Sequence, residues 1–106
     1  LANTFKSVTY TTTTTIANAY VCPAATTAII IGAQAANLTT STIVGFSARI
    51  SNGAATSTLV ANVAIPGSSA LGFISGKLVL EAGEYLQANA TSASNVNLTL
   101  SILEIT

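Results

Sequence analysis

The sequence has no histidine, one cysteine and no aspartate, and charged residues make up 6% of it. An ordinary soluble domain carries roughly 25%. Each shortage removes a class of chemistry. Without histidine there is neither the commonest general base near neutral pH nor the commonest metal ligand. One cysteine forms no disulfide within the chain and no zinc cluster of the usual kinds. Its three acids are all glutamates, Glu81, Glu84 and Glu104, so calcium loops built on several aspartates are absent. No metal and no cofactor is expected, and no catalytic residue.

The cations are Lys6, Arg49 and Lys77. Three basic residues do not neutralise a phosphate backbone, which argues against a nucleic-acid partner. Net charge is +0, so little repulsion holds copies apart. Such a surface suits a chain packed against others, although a bias towards threonine and alanine would produce it too. The longest strongly apolar stretch, Ala28 to Ile31, is far short of the ~20 residues of a membrane span. No membrane partner is expected. The opening LANTFKS has no long apolar run and predicts no signal peptide.

What the sequence does contain is a period of two. Apolar Val44, Phe46, Ala48 and Ile50 alternate with Gly45, Ser47 and Arg49. Leu59, Ala61, Val63 and Ile65 repeat the pattern, as do Val96, Leu98, Leu100 and Ile102. Alternation of this kind gives a pleated strand two different faces. The spacing predicts strands over 5–12, 14–21, 26–36, 42–50, 56–65, 73–80, 84–91 and 95–105. Turns fall at Cys22-Pro23, Asn52-Gly53, Pro66-Gly67, Ala82-Gly83 and Ser92-Asn95. The Asn-Gly pair predicts a tight type I′ hairpin. About seven or eight short strands imply an all-β, antiparallel, jelly-roll-like sandwich. With 106 residues, half of them apolar, a single domain over 1–106 is expected. Its predicted core is Val44, Phe46, Leu59, Val63, Leu78, Leu80, Leu98 and Leu100.

Few residues invite a chemical reading. Glu81 and Glu84 flank Gly83 and read as a solvated turn more readily than as an acid/base pair. Glu104 is expected to face solvent or to meet Lys6, Arg49 or Lys77. No histidine is present to activate a serine, spacing alone leaves a serine–lysine dyad on Lys6 or Lys77 open though it is not expected, and Gly72 and Gly76 match no phosphate-binding loop. Asn37-Leu-Thr39, Asn89-Ala-Thr91 and Asn97-Leu-Thr99 match the glycosylation pattern as chance would in a chain rich in both residues. Cys22 reads as a small buried hydrophobe. The threonine run Thr11–Thr15 reads as an edge strand or its exposed end. The strand Ala28–Ile31 is apolar on both faces, so it is either central or covered by a second subunit. With the amphipathic tyrosines, this marks Ile29, Ile31, Tyr20 and Tyr85 as candidate interface residues.

Two stretches carry a resemblance. They are Tyr20-Val-Cys-Pro through Ile29-Ile-Ile to Asn37, and Gly76-Lys-Leu-Val-Leu-Glu-Ala-Gly-Glu-Tyr-Leu-Gln-Ala88. A strand ends in a proline turn, an apolar strand ends near Asn, and an acid-Ala-Gly-acid turn joins two more strands. With the start Ala2-Asn-Thr-Phe-Lys-Ser7, this resembles small virion-associated β-sandwich proteins of tailed phages of the marine cyanophage kind. The resemblance implies a structural part of a virion, such as a head decoration, neck or tail accessory protein. It implies no catalytic residues. The expected partners are further copies of the chain, as a homotrimer, and other virion proteins. The alternative is a carbohydrate or cell-surface binding module at a fibre tip.

Overall fold

The period-two runs become nine strands in the computed structural model, which describes residues 2–74 and 76–106. They are β1 (Asn3–Thr11), β2 (Ala17–Val21), β3 (Thr27–Asn37), β4 (Ile43–Ser51), β5 (Thr56–Ile65), β6 (Ala70–Gly72), β7 (Leu78–Leu80), β8 (Tyr85–Asn89) and β9 (Val96–Ile105). The front sheet runs β1-β9-β3, with β6 and β7 both on the far side of β3. The back sheet runs β2-β8-β4-β5. All pairings are antiparallel.

The order is nested. The first strand pairs with the last, β2 with β8, β3 with β6 and β7, and β4 with β5. A long hairpin bent at the β4–β5 loop and rolled into two sheets gives this order, which is the jelly roll. The two short strands β6 and β7 together fill one strand position. That is why the count is nine where seven or eight were expected.

A continuous strand over 73–80 does not form. Ala70–Gly72 pairs with Gln34–Ala36, and Leu78–Leu80 pairs with Ala28–Ile30. Between them the chain leaves the sheet, and the Phe73 ring sits in the core, edge-on to Phe46 at 5.4 Å. Ser75, in the middle of the predicted strand, lies outside the described residues. The β4–β5 connection also differs from the expected two-residue turn. The Asn52 N–H donates to the Ala55 carbonyl, and its side-chain oxygen accepts from the Ala54 and Ala55 N–H groups. Only Gly53 of the Asn-Gly pair takes a positive φ, so the connection is an Asx-type loop.

One apolar core lies between the sheets. Val96, Leu98, Leu100 and Ile102 of β9 face Phe46, Ala48, Leu86 and Ala88 of the back sheet. Phe46, Leu80, Leu98 and Leu100 are fully buried as expected, while Leu59, Val63 and Leu78 are half-buried against the same core. Val44 is a correction: it is 63% exposed. Ile43 pairs with Ile65 and Phe46 with Val63, so β4 carries one extra residue between them. This bulge, with Gly45 at φ 95°, advances the alternation and turns Ile43 inward in place of Val44.

A second bulge lies in β3 between Ile30 and Gly32. Ala28 and Ile30 point inward before it, Ala35 and Asn37 after it. Ile31 is the extra residue, and its side chain stays on the surface at 41% exposure.

Candidate interface on the outer face of the front sheet

The register of the front sheet brings four apolar side chains into one row. Phe5 pairs with Leu103, Leu103 with Ile29, and Ile29 with Val79. Successive residues of a strand point to opposite faces. The core takes Val96 to Ile102 from β9 and Ala28 and Ile30 from β3, so this row faces outward. Phe5 is 74% and Val79 53% exposed, with Leu103 and Ile29 half-buried between them. Ile105, paired with Asn3 and Thr27, and the bulged Ile31 extend the patch to either side. Further along the same face the rows turn polar, with Thr9, Thr99 and Gln34, then Thr11 and Asn97. Across β1, β9 and β3 this face holds no charged side chain, because Lys6 and Glu104 lie on the other face.

Of the four residues singled out from the sequence, Ile29 and Ile31 lie on this face. Tyr20 does not. It is buried between the sheets, and its hydroxyl donates to Glu104 Oε2 at 2.5 Å. Tyr85 stands half-buried on the back sheet, opposite Val21 and Ser51. Phe5, Leu103 and Val79 were missed. Within β1, Val8 and Tyr10 pack against the core, and Phe5 is out of phase with both. That phase difference is a signal present in the sequence.

Lys6 Nζ lies 3.3 Å from Glu104 Oε2 and 6.0 Å from the centre of the Tyr20 ring. Glu104 thus meets Lys6, one of the three cations expected, but it is held mainly from within. The Tyr20 hydrogen bond first, and then Lys6, hold its carboxyl below the usual range against the opposing effect of burial. Burial, and next Glu104, push the Tyr20 phenol well above its ordinary value. The cluster clamps β2 of the back sheet to β1 and β9 of the front sheet at one end of the sandwich.

The remaining candidates have structural partners. Glu84 turns back on its own loop, where Oε1 accepts from the Glu81 N–H at 2.7 Å. The Glu84 carboxylate is thereby engaged by the backbone of its own turn. Cys22 is buried, its thiol donates to the Thr26 carbonyl, and burial pushes its pKa up. Asn37 is buried. Its amide donates to the carbonyls of Ser41 and Ile65, and its oxygen accepts from the Thr39 N–H and hydroxyl. Thr12, in the threonine run, is also buried, where the chain crosses from β1 towards β2. Among the described residues no group of three or more His, Cys, Asp or Glu side chains is placed to hold a metal ion.

On the back sheet a row of polar side chains crosses the outer face. Arg49 Nε donates to Gln87 Oε1 at 2.8 Å, and Gln87 Nε2 to Asn18 Oδ1 at 2.9 Å. Beside it is a shallow depression of about 360 Å³.

The class defined by this topology is the two-sheet jelly roll. No family model matches the sequence, and no curated protein is similar to it. Solved structures share the fold. A subunit of the disulfide-linked pili of Bacillus endospore appendages superposes with a TM-score of 0.59 at 14% identity, over 99% of this chain and 87% of that one. A chain from the acid-stable capsid of Helicobacter pylori bacteriophage KHP30 gives 0.54 at 11% identity, over 100% and 89%. A pentameric capsid protein from metagenomic phage sequences gives 0.45 at 14% identity, over 91% and 60%. At these identities the likeness is one of fold. The fold is shared with a chain of a phage capsid, and nothing in it is particular to tailed marine phages.

Proposed function

We propose that this chain is a non-catalytic structural subunit of a phage virion, built as one domain over 1–106. It acts through contacts with its own copies and with other virion proteins, as a head decoration, neck or tail accessory part. The observation that carries this reading is the uncharged apolar row Phe5–Leu103–Ile29–Val79 on a solvent-facing sheet. Monomeric proteins seldom expose a contiguous apolar patch beyond a few hundred Å². A face without charge fits another face without charge, and a further copy of this chain supplies one. A closed three-fold ring hides the patch in every subunit and leaves none open to polymerise. The shared fold alone would equally suit a pilus subunit. The pili of the Bacillus structure are disulfide-linked, whereas the one cysteine here is buried, which favours the virion.

Light scattering behind a sizing column tests the assembly. At about 0.1 mM, where even a weak specific interface is populated, the mass should be near three times the 10.6 kDa of the chain. A single-chain mass refutes the oligomer, and a dimer removes only the three-fold. Mass spectrometry of purified particles from the source tests the virion location. A second reading, a carbohydrate or cell-surface binding module, is favoured by the depression beside Arg49.

A further inference from the structure

We propose that the depression over Arg49 on the back sheet binds the carboxylate of an acidic sugar. This rests on the second reading above and gives it a ligand class. Two independent features of the chain build the site.

The first is a bulged strand. Phe46 pairs with Val63 but Arg49 pairs with Thr58, so over this stretch β5 carries two more residues than β4. Bulges bend a strand and re-aim its side chains. Asn62 takes a positive φ of 51° there, and its N–H donates to Ser47 Oγ at 3.0 Å. The depression opens along this irregular pairing, with Thr58, Val60 and Ala61 of β5 on one side and Ile16 and Asn89 on the other.

The second is an oriented cation. Gln87, itself tied to Asn18, holds Arg49 by Nε. That fixes the plane of the guanidinium and leaves its outer edge, Nη1 and Nη2, without a hydrogen-bond partner among the described residues. The one ion pair among them is Lys6–Glu104, so no carboxylate of the chain neutralises Arg49. A guanidinium edge held in this way presents two parallel donors in the geometry of a carboxylate. The Asn89 amide donates to the Thr14 carbonyl, which leaves its oxygen to accept from a sugar hydroxyl. Thr58 offers a hydroxyl, and Ile16 and Val60 give the C–H face of a pyranose an apolar wall. No acidic residue lines the depression.

Nuclear magnetic resonance on the full ¹⁵N-labelled chain tests this, with D-glucuronate, D-glucose and inorganic phosphate as probes. Glucuronate should shift the Arg49 Nε–H signal and the amides of Thr58, Val60 and Asn89 saturably, with a Kd on the order of millimolar. Glucose, which lacks the bidentate ion pair, should bind at least about tenfold more weakly, and so should phosphate, which pairs with the fork but has no ring or hydroxyls to meet Asn89, Thr58, Ile16 and Val60. Arg49→Gln should abolish the glucuronate preference. Gln87→Leu keeps the charge but frees the fork, and should weaken glucuronate severalfold in a folded chain. Equal binding of glucose and glucuronate overturns the carboxylate assignment and leaves the sugar reading standing. Equal binding of phosphate also overturns it, since the site is then a general anion site. No saturable shift with any probe overturns both.

Discussion

Thr91 occupies the space that a β-carbon on Gly45 would need: an ideal Cβ there would lie 2.6 Å from Thr91 Cγ2. The Thr91 hydroxyl donates to the Val44 carbonyl, which fixes the rotamer that creates the conflict. Gly45 also has a φ of 95°, which side chains rarely adopt. Gly45→Ala should therefore lower stability by about 2–4 kcal/mol, from backbone strain and overpacking together. In a Thr91→Ala background the overpacking share disappears, and a double-mutant cycle should give a coupling of about 1 kcal/mol. Urea unfolding measures both. No coupling would mean that the bulge gives way at no cost.

Phe46 is fully buried and meets Phe73 edge-on. Phe46→Ala should destabilise the chain by about 3–5 kcal/mol. A loss under about 1 kcal/mol, the range of an average substitution, would contradict a ring at the centre of the core.

Asn37 satisfies the loop ends that meet at Ser41 and Ile65. Replacing it with alanine strands buried backbone carbonyls, and should cost about 2–3 kcal/mol. The same burial predicts that Asn37 carries no glycan in the folded chain, despite its Asn-Leu-Thr context. A glycopeptide at Asn37 in mass spectra of folded, secreted material would be inconsistent with this placement.

Acid should weaken the Glu104 clamp. Its carboxyl is held below the ordinary range, first by the Tyr20 hydroxyl and then by Lys6. The contribution is complete above the unfolded value of about 4.3. It is lost as pH falls through the lower native one, where the folded state at last takes up the proton. Tyr20→Phe should remove most of this dependence and about 1.5–3 kcal/mol of stability, the range for a hydrogen bond to a charged group. Unfolding free energy measured from pH 7 to pH 3 would show a parallel offset, not a converging one, if Glu104 were titrating normally.

On the front sheet, Phe5→Ser with Val79→Ser should convert the oligomer to single chains while leaving the circular dichroism unchanged. Both side chains are exposed, so substitutions there touch the fold within about 0.5 kcal/mol. An unaltered mass would move the interface elsewhere.

Much of this architecture is legible in the alternation, and the exceptions have local causes. All eight predicted segments contain a strand, and Phe46, Leu98 and Leu100 face the core. Unbroken alternation puts Val44 in the core, but the glycine at position 45 inside the strand pattern is itself a bulge signal, and the bulge turns Val44 outward. Ile31 shows the same effect. Its exposure follows from the break in the pairing of β3 with β9 at Gly32, again a glycine inside a strand pattern. The expected strand over 73–80 narrows to Leu78–Leu80, and the Phe73 ring packs in the core against Phe46. Of the apolar row only Ile29 is legible in the sequence, since Phe5, Leu103 and Val79 join it only once the first strand pairs with the last and β7 with β3. Arg49 stood out only as a cation. Its neighbours Gln87 and Asn18 come from strands distant in sequence.

The interruption between β6 and β7 also limits growth at one border of the front sheet. An uninterrupted strand at the border of a sheet is a template on which a foreign strand can add, residue by residue, towards a fibril. Here that border offers two stubs, Ala70–Gly72 and Leu78–Leu80, with Phe73 turned away between them. A visiting chain finds three consecutive partners and then a gap, too short a run to hold it. Strand addition is thereby disfavoured along this border, and the long unpaired edges left to the two sheets are β1 and β5.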